Sequence, residues 1–288
     1  MNVTRAQASR SPTRTRSARA IRIEFPADPY RQALWDIREG TRNWILWCYL
    51  GWHDIRQRYR RSKLGPLWIT STVAANVGAI GIVFGALFGQ EMREFLPYLA
   101  AGLILWTLLT SLLLEGCLAF ISEERAIKQT NIPLIVYLLR MIWRNLIIFA
   151  HNVLIFVLVL VLFDIKPGLR TLITLPAFAL FVVNTGWLAL LLAVLCARFR
   201  DIQPIVASVL QVLYLATPIV WQAKMLPKAH FLYMANPLFY LIDLVRAPLL
   251  GDAPAPISWL VCSAFALAGP VLTFFFFARF RSRIPYWV

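Results

Sequence analysis

The strongest constraint on this chain is a set of six runs without Asp, Glu, Lys or Arg, at 64–90, 95–114, 146–163, 171–197, 202–223 and 253–278. A helix needs roughly 20 residues to cross a hydrocarbon layer of about 30 Å at about 1.5 Å per residue, and each run is of that order. Soluble core helices are seldom so long or so uniformly apolar. Lipid offers the backbone no hydrogen bonds, so only helices and closed barrels cross it, and a barrel strand would alternate polar and apolar residues. Unbroken apolar runs exclude the barrel. They predict an all-α integral membrane protein with six transmembrane helices.

Charge sets the orientation. With six crossings, residues 1–63, the loops after the second and fourth runs and the C-terminal residues share one side. That side holds 23 of the 29 Lys and Arg and the other holds six. By the positive-inside rule both termini are cytoplasmic. Cys48, Cys117, Cys196 and Cys262 each lie in or beside an apolar segment, without CxxC spacing. They suggest neither a disulfide framework nor a zinc site.

The chain divides into a basic tail (1–27), an amphipathic interface region (28–63) and a six-span domain (64–288). Residues 1–23 carry six arginines and no acid, a composition shared by organellar transit peptides and by disordered tails near anionic headgroups. IRIEF at 21–25 alternates but is too short to decide a strand. Asp28-Pro29 predicts a helix start, Asp as cap and Pro in the first turn, with a break near Gly40. Trp44, Trp47, Trp52, Ile55 and Tyr59 then recur near helical spacing, with Arg42, Asp54, Arg56 and Arg58 between them. Such a helix lies in the membrane interface, and Gly65-Pro66 turns the chain into the bilayer. Gly81, Gly85 and Gly89 at four-residue spacing predict close helix packing in the first span.

Between the fifth and sixth runs, residues 222–256 are apolar but interrupted by Lys228, Asp243, Arg246 and several prolines. A seventh crossing would carry the basic tail RFRSRIPYWV outside. Two short re-entrant or interfacial helices on the outer face, broken at Asn236-Pro237, are therefore expected.

Enzyme signatures are missing: the chain has no GxSxG, HExxH or GxxxxGK[ST], and only three scattered histidines. Without a phosphate-binding loop, any ATP-driven step belongs to another polypeptide. Charges near membrane depth are costly and mark function, pairing or an interface. Arg140, Arg144 and His151 fall on roughly one face of a helix, with Glu115 at the end of the preceding span. The arginines could greet an anionic lipid headgroup, or pair with Glu115 and frame the cytoplasmic boundary. The loop ISEERAIKQTNIPL could form a short helix that docks on a soluble partner, or a solvated turn.

In this order the pieces RYRRSKLGPLW with GAIGIVFGALFG, EGCLAFISEERAIKQTNIPL, LRMIWRNLIIFAHN, TPIVW, NPLFYLIDLVRAPLLG and the final YWV resemble the transmembrane subunit of ABC type-2 polysaccharide exporters. The likeness to O-antigen and capsule export permeases covers nearly all of 30–288. It implies a homodimer of six-span subunits in the bacterial inner membrane, each bound to a separate cytoplasmic ABC nucleotide-binding subunit that holds ATP and Mg. No cofactor, metal or nucleic acid is expected in this chain. The resemblance makes 44–59 the interface helix, 222–250 the re-entrant outer helices, and 122–131 the coupling helix, with Ser122, Glu123, Glu124, Arg125 and Lys128 facing the ATPase.

For a lipid-linked glycan, Arg56, Arg58, Arg60, Arg61 and Lys63, with Arg140 and Arg144, could collect the diphosphate headgroup. Trp106, Trp143, Trp187, Tyr214 and Phe239 could offer stacking faces to sugars. The plainer alternatives are a positive-inside anchor for the cations and lipid or helix contacts for the aromatics. Three rival functions stay open: an ABC permease for a drug or another lipid, a membrane enzyme using His151 with Glu115 on polyprenyl or sugar-phosphate substrates, and a secondary transporter. The last predicts an inverted repeat and a midplane ion site, and neither is visible.

Overall fold

The computed structural model describes residues 28–58, 60, 67–166, 168–225 and 230–288. The expectations for the basic tail, for IRIEF, for Tyr59, Arg61 and Lys63, and for the Gly65-Pro66 turn lie outside the described residues. Among the described residues the regular structure is entirely helical.

Helix α1 (Pro29–Arg42) starts where capping chemistry places it, with the Asp28 carboxylate accepting from the Tyr30 amide at 3.0 Å and Pro29 in the first turn. The break expected near Gly40 falls a little later. The chain interrupts at Asn43, and Gly40 stays inside α1 against Ile135, whose side chain any β-carbon there would overlap. Helix α2 (Trp44–Arg58) follows, exposing Trp44, Ile45, Tyr49 and Trp52 while Gly51 and Ile55 are buried. Its exposed side carries these aromatics together with His53, Arg56, Gln57 and Arg58, and Asp54 is turned toward α6.

Among the described residues, five helices are long and apolar enough to cross a membrane. They lie within α3 (Leu67–Phe88), α4 (Met92–Leu118), α6 (Leu134–Leu162), α7 (Thr174–Arg198, with the 3-10 turn Leu169–Ile173 before it) and α11 (Pro256–Phe280, with the turns after it). Helix α4 is the hub, the most buried of the five and packed against α3, α6, α7, α8 and α10. Gly116 lets α4 approach α7 so closely that a β-carbon would sit 2.9 Å from that of Ala189. Gly81 and Gly85 take the side chains of Leu96 and Met92 from α4, as small residues do in lipid. Gly89, expected in the same stripe, instead has a φ of +59° with open space around it, and makes the tight α3–α4 turn. Ile82, Leu87, Val161, Leu162, Leu267 and Leu272 point outward, as hydrocarbon surroundings allow.

The fifth apolar run behaves differently. It forms α8 (Ile202–Ala216), about 22 Å long at about 1.5 Å per residue, and leaves helical geometry at Thr217 and Pro218. Two short helices follow, α9 (His230–Met234) and α10 (Pro237–Leu249), with the expected break at Asn236-Pro237. The Asn236 side chain caps α10 by accepting from the Leu238 amide at 3.0 Å.

The loop between α4 and α6 holds the six-residue α5 (Glu124–Gln129), which packs against α12 (Ile284–Trp287) through its buried Ile127. Asp36, completely buried in α1, accepts from the amides of Leu134 and Ile135 at 3.1 and 2.9 Å, and from Arg281 Nε at 2.7 Å. One carboxylate thus caps the start of α6 and neutralises a cation after α11. It puts α1, the α5–α6 junction and the residues after α11 on one face of the molecule.

Candidate functional site

That face carries an ionic cluster built from four segments. Helix α2 lies tight on α6 because position 51 is glycine: a β-carbon there would meet the Arg140 carbonyl oxygen and Trp143 Cδ1 at 3.0 Å each. The close approach brings Asp54 to Arg140, which donates from Nε at 2.7 Å and Nη2 at 2.6 Å in a two-point pair. Arg144, one turn along α6, donates to the same carboxylate at 3.0 Å and to Glu115 of α4 at 2.7 Å. Asn145 donates to Glu115 at 2.6 Å, and Glu123, just before α5, reaches Arg140 at 3.2 Å. Three carboxylates therefore surround two guanidinium groups, largely out of solvent. A cavity of about 260 Å³ opens beside them, lined by Glu115, Ser122, Glu123, Tyr137 and both arginines.

Arg140 and Arg144 are thus engaged by carboxylates of their own chain. The pairing with Glu115 weighed from the sequence is present, and Asp54 and Glu123 join it. Physically the cluster is a brace. It ties α2 (Asp54), the end of α4 (Glu115), the residues before α5 (Glu123) and the start of α6 into one unit.

The expected coupling residues divide into two groups. Glu123 faces inward to Arg140, and Ser122 donates to the Leu118 carbonyl at 2.9 Å. Glu124, Arg125 and Lys128 are exposed, and Glu124 pairs with Lys128 one turn on at 2.7 Å. That hydrogen bond and the lysine charge hold the Glu124 carboxyl below the usual carboxylate range. Arg56, Arg58 and Arg60 are exposed at the end of α2.

The five candidate aromatics do not converge. Trp106 and Tyr214 form one pair between α4 and α8, with ring centres 5.6 Å apart. Trp143 packs edge-on to Trp47 of the interface helix at 6.0 Å. Trp187 fills the space over Gly269 on α11 and donates to Asn184 at 3.1 Å. Phe239 lines a separate outer cavity. His151 and Glu115, the acid–base pair considered for an enzyme, are each engaged elsewhere: the imidazole Nδ1 bonds the Ile147 carbonyl of its own helix at 2.8 Å, and Glu115 holds Arg144 and Asn145.

Sequence reasoning missed two centres. In the sequence Asp54 reads as one of the polar positions of an amphipathic helix and Asp36 carries no reading, because the partners of both lie far away along the chain. At the opposite end of the bundle, Arg246 is only 4% exposed and Tyr98 stacks on it, the guanidinium carbon 4.0 Å from the ring centre. Both donate to the Pro218 carbonyl, Arg246 Nη1 at 2.6 Å and the Tyr98 hydroxyl at 2.8 Å. Beside them lies a cavity of about 780 Å³, lined by Tyr98, Gln222, Lys224, Phe239, Asp243 and Arg246 among others.

Comparison with known proteins agrees with this architecture. The family profile described as "ABC-2 type transporter" matches residues 45–250, well over half of the chain. Two curated proteins of Klebsiella pneumoniae, both named O-antigen export system permease protein RfbA, are each 26% identical over 195 residues, covering 66% of this chain and 74% of the relative. A helical bundle of membrane-spanning length and a family match from the interface helix to the end of α10 lead to one assignment: the chain belongs to the ABC-2 type transporter family, as a multi-pass membrane permease and not an enzyme, and that family implies an ABC nucleotide-binding partner.

Proposed function

We propose that this chain is the permease subunit of an ATP-driven exporter that carries lipid-linked polysaccharide, O-antigen or capsule, across the bacterial inner membrane. It works as a homodimer with a cytoplasmic nucleotide-binding subunit that supplies ATP and Mg. The observation that carries the cargo is the 195-residue likeness to permeases named for O-antigen export. A drug or other lipid cargo would share the brace and the coupling loop.

The sixth crossing is completed by α8 together with the irregular residues 217–222. Connectivity supports this reading: α8 begins four residues after α7 ends, and Pro218 bonds Tyr98, two turns into α4 from its other end. The cytoplasm then lies on the side of α1, α5 and α12, and α9 and α10 form the re-entrant pair on the outer side. The exposed Arg56, Arg58 and Arg60, continued by Arg61 and Lys63, collect the diphosphate headgroup at the cytoplasmic interface. Arg140 and Arg144, already neutralised, hold α2 in place for that task. Trp106 with Tyr214, and Phe239, present rings for the sugar chain.

ATP-driven closure of the partner subunits acts on Glu124, Arg125 and Lys128. Glu123 passes the displacement to Arg140, and Asp54 carries it to the interface helix. The test is co-purification in mild detergent, with and without Glu124→Ala plus Arg125→Ala, followed by ATPase assay. A nucleotide-binding subunit recovered at equal stoichiometry, and lost or uncoupled in the double variant, supports the proposal. A permease recovered alone and active without ATP would remove it.

A further inference from the structure

The irregular segment at the end of α8 is held almost entirely by side chains. Helix α8 stops at Thr217, and the next backbone bonds are sparse: the Ile219 amide donates to the Thr217 carbonyl, and the Met225 amide to that of Gln222. In their place, Asn236 donates to the Thr217 hydroxyl at 2.7 Å, and Arg246 and Tyr98 both donate to the Pro218 carbonyl. This clamp keeps Ile219 fully buried, with its Cγ2 methyl 3.4 Å from where a β-carbon on Gly102 of α4 would lie.

The clamp has a second arrangement within reach. Arg246 is a buried cation whose counter-charge is displaced: Asp243, one turn earlier on α10, stands 3.8 Å from Nη2, beyond hydrogen-bond distance, and is steadied by the Ser258 hydroxyl at 3.2 Å. Rotation of the guanidinium away from Pro218 would complete that pair. The outer cavity of about 780 Å³ touches Arg246, Asp243 and Tyr98 and supplies water for the donors left over. Both states satisfy the cation, so the switch requires no uncompensated buried charge.

We propose that Arg246 is a positioning residue for export, a latch that holds residues 217–221 closed against α4 through the Pro218 carbonyl and releases them by transferring to Asp243. Release frees Ile219 from Gly102 and opens the outer end of the bundle between α4 and α10. This rests on the exporter reading for its purpose, and the latch is tested both in the resting complex and during ATP turnover.

The experiment places a thiol at Ile219→Cys in the full complex with its nucleotide-binding subunit. It measures labelling by a membrane-impermeant maleimide from the outer side, against the same complex without the new cysteine. A hydrogen bond from a charged donor is worth enough that Arg246→Gln should raise the labelling rate about tenfold or more. Arg246→Lys, which keeps the charge but not the planar guanidinium, should fall between, and Tyr98→Phe should give a smaller rise. Asp243→Asn should lower labelling during ATP turnover, because it removes the receiving partner, and a merely structural contact would not produce that opposite sign. If Arg246→Gln fails to assemble, Tyr98→Phe and Asp243→Asn still decide the matter. Unchanged labelling in the assembled Arg246 and Tyr98 variants, or a rise in Asp243→Asn, would overturn the latch. Resting-state changes without any ATP-dependent change would instead count against the exporter reading alone.

Discussion

Arg140 and Asp54 meet in a two-point ion pair across 86 positions of sequence, joining the third long helix to the interface helix that precedes the bundle. Asp54 also receives Arg144, so a single carboxylate serves two cations, with Glu115 and Glu123 completing the cluster. Removing Asp54 leaves two carboxylates for two guanidinium groups but takes away the acceptor of three Arg140 and Arg144 donors in a poorly solvated place. Asp54→Ala should therefore cost about 1–3 kcal/mol of stability, read by thermal unfolding of the purified complex. Double-mutant cycles of Asp54→Asn with Arg140→Gln should give a coupling energy of about 1–3 kcal/mol, and a value near zero would show that the pair is geometric only.

Gly51 sets the distance at which that pair forms. A methyl group there presses on the Arg140 carbonyl and on Trp143, and because a backbone atom is one of the obstacles, α2 must lift. Gly51→Ala should cost about 1–3 kcal/mol and lower transport more than it lowers the resting ATPase of the partner. Transport and ATPase falling in proportion would contradict the brace as the link between them.

Asp36 performs a different task at the same face. It replaces the missing partners of two α6 amides and neutralises Arg281, and it has no solvent to fall back on. Asp36→Ala should destabilise the chain by about 3–5 kcal/mol. Asp36→Asn, which keeps one acceptor for the amides, should be milder. Thermal unfolding of both variants in the same detergent checks the order.

The exposed side of α5 should behave in the opposite way. Glu124 pairs with Lys128 in water, and its folded pKa is depressed. Its contribution is thus fully present above the unfolded carboxylate pKa and is lost only as the pH falls through the lower, folded value. Association with the nucleotide-binding subunit should then be flat across about pH 6–8, as far as this pair controls it. Glu124→Ala plus Arg125→Ala should weaken association while leaving the unfolding temperature of the permease unchanged, because exposed pairs add little stability. Titration of the purified subunits by light scattering or calorimetry measures both.

Much of the architecture was legible because lipid imposes one demand on every residue of a span. Five of the six apolar runs appear as helices of membrane-spanning length, and the Asp28 cap and the Asn236-Pro237 break appear where local chemistry puts them. What local chemistry cannot reveal is partnership. Nothing near Asp54 announces Arg140, and nothing near Asp36 announces Arg281, since these pairs depend on how helices far apart in sequence pack. The end of α8 at Ala216 was legible in part: TPIVW at 217–221 interrupts the fifth run, because Pro218 disfavours helix at the residue before it. The Arg246 and Tyr98 side chains that hold the Pro218 carbonyl were not legible there. The glycines show the same limit: equal spacing marks Gly81, Gly85 and Gly89, yet neighbours make two of them packing positions and the third a turn.

The central claim is ATP-driven movement of a lipid-linked glycan, and reconstitution measures it most directly. Proteoliposomes holding the permease and its nucleotide-binding subunit, loaded on the ATPase face with labelled lipid-linked polysaccharide, should transfer label to the opposite side only with ATP and Mg. Arg56→Ala, Arg58→Ala and Arg60→Ala combined should raise the substrate concentration needed for half-maximal transfer. Transfer that proceeds equally without ATP, or ATP-dependent movement of another lipid while the glycan stays in place, would contradict the account.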